Sequence, residues 1–188
     1  YVIDMIKNDD ILLSVEGERI GQVNGLTVSD MADYSFGKIA RITCTSSAND
    51  DGLINIERAS RLSGKIHDKG VYIIAGFLHG LLSRKKALGI SARICFEQSY
   101  GYIDGDSASA AELISVISSL ADIPVNQRFA ITGSMNQLGE IQPIGGVNEK
   151  IEGFVKICNV LSRSRKGFGL IIPRQNVNNL MLHSTVQA

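Results

Sequence analysis

The feature that most constrains the fold of this chain is a change in the spacing of its apolar residues near residue 60. Up to that point, short apolar or alternating runs are separated by Gly, Asn and Asp, a pattern typical of strands joined by turns. Beyond it, apolar residues recur at steps of three and four, as on one face of a helix, and these segments alternate with further strand-like runs. We therefore expect an α+β fold, or a mixed α/β one, with a strand-rich N-terminal part.

The same patterns predict the individual elements. Strands are predicted at Ile11–Val15, Gly21–Val28, Lys38–Thr45, Leu53–Ile56, Ser91–Glu97, Arg128–Thr132, Glu140–Ile144 and Leu170–Ile172. Helices are predicted at Ile66–Lys86, Ser107–Leu120 and Asn148–Leu161, with a last helical turn after Asn176. No repeat, low-complexity stretch or long linker interrupts the series, so residues 1–188 are expected to form one domain.

Composition excludes several classes of protein. The chain has 188 residues, 44% of them hydrophobic, so it can bury a sizeable core without a disulfide or a metal. Its 19 basic and 19 acidic residues balance, which argues against a nucleic-acid-binding domain. The two dense basic patches, Arg84 to Lys86 and Arg163 to Lys166, are interpreted as solvated helix ends or loops, with a docking patch for a partner as the alternative.

Cysteines and histidines point to no metal or disulfide site. The three cysteines are widely spaced and form no CxxC pair, which favours a reducing, cytoplasmic location. The histidines His67, His79 and His183 lie outside any HExxH or close His/Cys cluster. No apolar run reaches the roughly 18 residues of a membrane span. Because the chain begins with Tyr1 rather than Met, we expect it to be a piece of a longer protein.

The segment from Tyr102 to Leu113 places a serine where a glycine turn meets the start of a helix. Gly105 lets the backbone turn and leaves space for a substrate. The unpaired N–H groups of the first helical turn, at the positive end of the helix dipole, can bind a developing oxyanion. These properties suit Ser107 as a nucleophile. For this segment alone the alternative is helix capping by Asp106, Ser107 or Ser109, and Ser109 with Glu112 fits a capping box.

The segment from Ile131 to Ile151 contains a second helix start. Gly145-Gly146 followed by Asn148, a candidate N-cap, predicts that Lys150 lies in the first turn, where the helix dipole disfavours a cation. Lowering the pKa of a lysine from about 10.4 to about 7.5 requires roughly 4 kcal/mol, which burial can supply and an exposed position cannot. A neutral lysine amine can remove the proton of a serine hydroxyl. For Lys150 alone the alternative is a solvated surface lysine.

Together, the two segments resemble the proteolytic domain of Lon-type peptidases. The stretch Asp104-Gly105-Asp106-Ser107-Ala108-Ser109 is similar to the nucleophile motif of the branch that reads Glu/Asp-Gly-Asp-Ser-Ala-Ser. Gly145-Gly146-Val147-Asn148-Glu149-Lys150 is similar to the lysine motif of the family, and the interval between the motifs suits this branch. Weaker likeness in stretches such as Leu62 to His67 extends the resemblance over most of the chain.

The resemblance implies the fold of the Lon proteolytic domain, part of which resembles a ribosomal-protein module, and a serine endopeptidase activity. Ser107 would attack the scissile carbonyl, Lys150 would remove its proton, and the backbone N–H groups of Asp106 and Ser107 would hold the oxyanion. Thr132 corresponds to a family threonine whose hydroxyl orients the lysine nitrogen. Its alternative role is that of a strand threonine that packs by its methyl group.

Other candidate residues surround this pair. Asp104 departs from the glutamate commonest in this branch, and a carboxylate that met Lys150 would raise the lysine pKa and hold the base charged and inactive. Ser134 lies where other Lon branches often have glutamate, and we assign it no role. A histidine base from His67 or His79 is the weaker alternative, because both lie on or near the amphipathic helix, where packing and surface histidines are common.

Lon-type enzymes join this domain to an AAA+ ATPase that unfolds proteins and threads them inward, and they usually form six-membered rings. The chain has no GxxxxGK[ST] loop, so we expect no cofactor in this domain, and ATP and Mg²⁺ only on an upstream region. The expected partners are unfolded polypeptides and further copies of the chain, with no nucleic acid. The alternative function is a catalytically silent Lon-like module for assembly or substrate docking.

Overall fold

The computed structural model describes residues 2–31, 34–48, 51–82, 91–161 and 167–187. Its helices are α1 (Val2–Lys7), α2 (Ile56–Ala59), α3 (Lys65–Leu82), α4 (Ser109–Ala121), α5 (Val147–Leu161) and α6 (Ser184–Gln187), with a 3₁₀ helix at Arg174–Asn179. Its strands are β1 (Glu18–Arg19), β2 (Gln22–Met31), β3 (Tyr34–Ser47), β4 (Gly52–Asn55), β5 (Ser91–Phe96), β6 (Val125–Asn126), β7 (Phe129–Ile131), β8 (Ser134–Met135), β9 (Ile141–Gln142) and β10 (Gly169–Ile171).

Within these residues the main sheet is mixed and has six strands in the order β10-β7-β2-β3-β5-β4. The long strands β2 and β3 pair antiparallel, as do β3 and β5. Strand β7 runs parallel to both β2 and β10, and β4 runs parallel to β5. Two small sheets, β1-β6 and β8-β9, lie outside it. The mixture of strand directions confirms the expected α+β or mixed α/β class.

Helices cover both faces of the main sheet. Successive side chains of a strand point to opposite faces, and in β3 the buried Ile42 belongs to one apolar cluster while Ile39 belongs to another. The first cluster includes Val116 of α4. The second includes Phe154 of α5. The sheet is therefore buried on both sides, and its strands carry apolar residues at both alternating sets of positions.

The strand predicted at Ile11–Val15 is wrong, whereas the other predicted strands are present within a few residues. Within the described part of the chain, this segment pairs with no strand. Ile11 and Leu13 pack against the apolar cluster that includes Phe154, and Val15 is buried in it. These three residues therefore cover the core from a loop.

The predicted helices are present, with differences at their ends. The helix predicted at Ile66–Lys86 is α3, whose described part ends at Leu82. Both basic patches noted in the sequence lie outside the described residues. Asn148 was expected to cap α5, and this is wrong, because it lies inside the helix and its Oδ1 accepts a hydrogen bond from the Met181 N–H at 2.9 Å. A tertiary contact thus explains this asparagine better than capping does.

Helix α5 lies very close to strand β3, and two glycines permit this approach. A Cβ atom on Gly37 would lie 2.1 Å from the carbonyl oxygen of Glu149, and one on Gly153 would lie 2.0 Å from the carbonyl oxygen of Gly37. Both distances are far shorter than a van der Waals contact. The contact holds the first turns of α5, which carry Lys150, directly against the sheet.

Candidate active site

Ser107 lies in the loop that leads from Ile103 into helix α4. Gly105 has a φ of +92°, a conformation that glycine adopts without strain, and it turns the chain there. Beyond the turn, the Gly133 N–H donates to the Ser107 carbonyl at 2.8 Å, and the Ala110 N–H donates to the Gly133 carbonyl at 3.0 Å. These bonds hold the half-buried Ser107 at the N-terminal end of α4, beside the segment that follows β7.

Helix capping does not explain the serines of this loop. Helix α4 begins at Ser109, and its N-cap residue Ala108 makes no side-chain capping bond. The Ser109 hydroxyl donates to the Asp106 carbonyl at 2.7 Å, and the buried Glu112 accepts a hydrogen bond from Asn55. The capping-box interpretation of Ser109 and Glu112 is therefore wrong.

Lys150 lies within hydrogen-bonding distance of Ser107. It lies in the first turn of α5, as predicted, and is only 2% exposed, so it is not a solvated surface lysine. Its Nζ atom donates to Ser107 Oγ at 2.7 Å and to Thr132 Oγ1 at 3.0 Å. The Thr132 hydroxyl in turn donates to the Ser107 carbonyl at 3.0 Å. The structure thus brings together the three residues predicted as nucleophile, base and supporting threonine.

The surroundings of Lys150 raise the fraction of its amine that is neutral. Burial lowers the pKa of Lys150 from 10.5 to about 8, and the negative charge of Asp106 opposes this shift. With a pKa near 8, roughly one amine in ten is neutral at pH 7. A neutral amine has a lone pair, so it can accept a hydrogen bond from the Ser107 hydroxyl across the same 2.7 Å. The geometry therefore permits transfer of the hydroxyl proton to the amine.

Asp106 is held by a serine to which the sequence analysis assigned no role. Ser134 Oγ donates to Asp106 Oδ2 at 2.7 Å, and it also lies 3.4 Å from Gln142 Oε1. Ser134 is buried, and the bond itself is partly buried. A signal was present in the sequence: alternate residues of an extended segment point the same way, and Ser134 follows Thr132 at that spacing.

Asp104 has a different role from the one expected. Its Oδ1 accepts hydrogen bonds from the backbone N–H groups of Ile66 and His67, each at 3.1 Å, and from that of Gly105 at 2.8 Å. The Gly105 bond is the main reason that the pKa of Asp104 is lowered. Asp104 therefore binds the N-terminal turn of α3. The carboxylate whose charge raises the pKa of Lys150 is that of Asp106.

Neither histidine of α3 occupies the position of a base for Ser107. His79 is exposed near the end of the helix. His67 is 1% exposed, and its Nε2 atom faces Glu112 Oε1 at 3.6 Å. The nitrogen that contacts Ser107 Oγ is that of Lys150.

A cavity of about 290 Å³ opens beside Ser107. Its walls are the N-terminal loop at Leu12 and Leu13, strands β2 and β3, and the loop from Glu97 to Ser107. The described residues contain no cluster of His, Cys, Asp and Glu able to hold a metal ion. Across the same residues, none of the helices combines the length and apolar character needed to cross a membrane.

Comparison with known proteins gives the family. Residues 100–183 match the Lon protease (S16) C-terminal proteolytic domain. The chain is 49% identical over 183 residues to an Escherichia coli protein provisionally named a Lon protease homolog, an alignment that covers 96% of the chain and 31% of that protein. It is 30% identical over 177 residues to the archaeal Lon protease of Archaeoglobus fulgidus, covering 94% of the chain and 26% of the relative. The chain thus spans less than a third of the length of these relatives, and it belongs to the family of Lon protease C-terminal proteolytic domains.

Proposed function

We propose that the chain is a serine endopeptidase domain that cleaves peptide bonds with a Ser107–Lys150 dyad. The observation that carries this proposal is the 2.7 Å contact between Lys150 Nζ and Ser107 Oγ, made by an amine that is 2% exposed. A buried amine with a pKa of about 8 is a base suited to neutral solution. Membership of the Lon family supports hydrolysis of polypeptides as the reaction.

In the proposed reaction the neutral Lys150 amine takes the proton from the Ser107 hydroxyl as its oxygen attacks the scissile carbonyl. The resulting ammonium gives a proton to the leaving amine, and an ester joins the substrate acyl group to Ser107. A water then attacks the ester carbonyl while Lys150 takes its proton. The bond between the acyl carbon and Ser107 Oγ breaks as Lys150 returns a proton to that oxygen, which releases the second product. The backbone N–H groups of Asp106 and Ser107 are the proposed donors to the oxyanion.

Thr132 supports the base in this scheme. Its hydroxyl donates to the Ser107 carbonyl, so its oxygen is left to accept a hydrogen bond from Lys150 Nζ. That bond orients the amine and leaves its lone pair for the Ser107 hydroxyl. The three residues lie at the ends of three different helices and strands. The hydrogen bonds among these residues hold those ends together.

Flexible or unfolded polypeptide is the proposed substrate. The 290 Å³ cavity beside Ser107 lies at the lower end of the usual range for small-ligand pockets, about 300–1,000 Å³. It can accept a short extended segment, and a folded protein does not fit in it.

The chain spans less than a third of its relatives, so we propose that residues 1–188 act as one proteolytic domain of a larger cytoplasmic ATP-dependent protease. In that protein a separate AAA+ region would bind ATP and Mg²⁺, and six copies would form a ring.

The test is cleavage of casein and of a fluorogenic peptide by the full-length protein that contains this chain. Ser107→Ala and Lys150→Ala should each abolish cleavage. Lys156→Ala is the matched control, because Lys156 is exposed on the same helix as Lys150, and it should leave cleavage unchanged. Equal cleavage by wild type, Ser107→Ala and Lys150→Ala would assign the activity to a contaminant and favour the catalytically silent module.

A further inference from the structure

One arginine that lines the cavity beside Ser107 has a guanidinium without a partner. The Nε atom of Arg41 is buried and makes no hydrogen bond. Within the described part of the chain, no carboxylate forms an ion pair with Arg41. A buried donor that lacks an acceptor costs free energy, and such groups are rare in native proteins. A ligand in the cavity that supplies an acceptor to this guanidinium would therefore gain affinity.

The direction of the Arg41 side chain follows from its place in β3. Alternate residues of a strand point to the same face, so Arg41 shares the face of Ile39, which belongs to the apolar cluster that includes Phe154 of α5. Ile11, Leu13 and Ile157 belong to or pack against the same cluster, and they also line the cavity. The guanidinium thus lies on the cavity side of the sheet among apolar side chains. Its Nη atoms, unlike Nε, are not among the buried atoms without a partner.

The cavity reaches Ser107 past the end of β5. Strand β5 pairs with β3 from Ile42 to Ser47, and one more hydrogen bond joins the Glu97 N–H to the Arg41 carbonyl at 2.8 Å. The part of β3 that lines the cavity, residues 38–41, lies at and beyond this last bond. The loop from Glu97 to Ser107 leaves the sheet there and forms another wall. A peptide with its scissile carbonyl at Ser107 can therefore extend through this gap toward Arg41.

The other charged residues of the cavity walls favour an anion as the ligand. The two carboxylates already accept hydrogen bonds: Glu97 Oε1 from the Thr43 hydroxyl at 2.6 Å, and Asp104 Oδ1 from N–H groups at the start of α3. The side chains of the two cations, Arg41 and Lys38, make no hydrogen bond or ion pair with any described residue. An entering carboxylate thus meets cations without partners and carboxylates that are already bound.

The chemistry of a guanidinium favours a carboxylate over other acceptors. Its N–H groups form a planar fork that pairs two at a time with the two carboxylate oxygens. Apolar surroundings such as those of Arg41 strengthen a charged hydrogen bond, because they lower the local dielectric constant. A polypeptide carries carboxylates on its Asp and Glu side chains and at its C terminus, so either source can supply the group.

We propose that Arg41 is a specificity-determining residue, whose guanidinium binds a carboxylate of the polypeptide substrate while the scissile bond lies at Ser107. The proposal rests on the proposed endopeptidase function and adds the kind of substrate that the site prefers. It predicts a higher kcat/KM for a peptide with Glu at the matching position than for the same peptide with Gln. The expected ratio is about 10 to 100, the usual effect of a hydrogen bond to a charged group.

The test measures kcat/KM of the full-length protein on fluorogenic peptides in which Glu, or Gln for comparison, occupies each position around the scissile bond in turn. A further pair of peptides has a free or an amidated C terminus, which distinguishes a terminal carboxylate from one on a side chain. Wild type should prefer the carboxylate at one of these places, and Arg41→Gln should bring that ratio close to one. Because the ratio compares two substrates of one variant, a general loss of activity cancels. Arg93→Gln is the control, since Arg93 is exposed on the same sheet and pairs with Asp51, and it should keep the wild-type ratio.

A wild-type ratio near one at every position and at the C terminus would overturn the proposal. A preference that survives Arg41→Gln, or that is lost only in Lys38→Gln, would overturn it as well. If Ser107→Ala is inactive in the same assay, these results leave the endopeptidase function standing, whereas an active Ser107→Ala would remove both. Should Arg41→Gln fail to fold, Arg41→Lys decides. An ammonium cannot form the paired contacts of a guanidinium, so its ratio should fall below that of wild type, and an unchanged ratio refutes the proposal.

Discussion

The Nζ atom of Lys150 lies 2.7 Å from the Oγ atom of Ser107, although 43 residues separate them in the chain. Two packing contacts produce this distance. The close approach of α5 to β3 at Gly37 fixes the first turns of the helix that carries the lysine. The hydrogen bond between the Gly133 N–H and the Ser107 carbonyl fixes the loop that carries the serine. The two side chains thus meet near the end of β7, where the Thr132 hydroxyl donates to the Ser107 carbonyl and accepts from the Lys150 amine.

The first prediction concerns the pH dependence of cleavage. Lys150 must be neutral to act as a base, and its pKa is about 8. The value of kcat/KM should therefore rise about tenfold per pH unit below pH 8 and level off above it. It is measured on a fluorogenic peptide between pH 5.5 and 10, with circular dichroism to confirm folding at each pH. A profile that stays flat through this range would exclude Lys150 as the group whose deprotonation limits the rate.

The second prediction concerns Asp106. Its negative charge raises the pKa of Lys150 and so opposes the effect of burial. Asp106→Asn should lower the lysine pKa and move the rising limb of the pH profile to lower pH, with more activity than wild type at pH 6. Asn can still accept the hydrogen bond from Ser134, so the conformation of the loop that carries Ser107 should be retained.

The matched control for this variant is Asp104→Asn. Asp104 binds the start of α3, and its carboxylate is not among the charges that shift the pKa of Lys150. This variant should leave the midpoint of the profile in place. A shift of equal size in both variants would show that the effect is one of net charge and not of the contact with Lys150.

Two short motifs were enough to predict which residues meet in the candidate site. Ser107 and Lys150 each follow a glycine turn at the start of a helix, and local sequence specifies such starts well. Thr132 was added by resemblance, and the structure places it against both. The motifs could not show the bond from Ser134 to Asp106, because it depends on how the β8–β9 hairpin packs against the nucleophile loop.

The predictions that the structure overturns fail for the same physical reason. An apolar run such as Ile11–Val15 predicts burial, and Ile11, Leu13 and Val15 do pack into the core, but the spacing of apolar residues alone does not distinguish a strand from a loop that covers the core. Asn148, Ser109 and Glu112 have the residue types of helix caps, yet their partners are Met181, Asp106 and Asn55. Tertiary partners decided these positions, and no local pattern contains that information.

The third prediction tests the close packing of α5 against β3. An alanine at Gly153 would place its Cβ 2.0 Å from the carbonyl oxygen of Gly37, so the helix must move away from β3. Gly153→Ala should lower the free energy of unfolding by about 1–3 kcal/mol, the usual cost of overpacking, and should reduce kcat because Lys150 moves with the helix. Gly80→Ala is the control: it lies in α3 with open space around it, and alanine there should be neutral or stabilising. Urea denaturation and peptide cleavage of both variants give the two quantities, and a Gly153→Ala protein as stable and active as wild type would contradict the expected displacement of α5.

The fourth prediction concerns Glu112 and the stability of the fold. Burial and the nearby Glu57 raise the pKa of Glu112 from 4.5 to about 8. Between these two values the folded chain retains a proton that the unfolded chain has lost, so this group lowers the free energy of unfolding as the pH rises from about 4.5 to about 8. The slope is at most about 1.4 kcal/mol per pH unit. Glu112→Gln removes the ionisation and should gain stability relative to wild type as the pH rises through this window.

Urea denaturation of both proteins at pH 5, 6.5 and 8 measures that difference. The stabilities should be closest at pH 5, where Glu112 is protonated in the folded state and partly so in the unfolded state. His67 contributes a slope of opposite sign, since its lowered pKa costs stability as the pH falls, but it is present in both proteins and largely cancels in the comparison. Glu18→Gln, at an exposed glutamate of β1, is the control and should parallel wild type at every pH. If the difference between Glu112→Gln and wild type were constant across the three pH values, Glu112 would not be the buried acid that holds its proton at neutral pH.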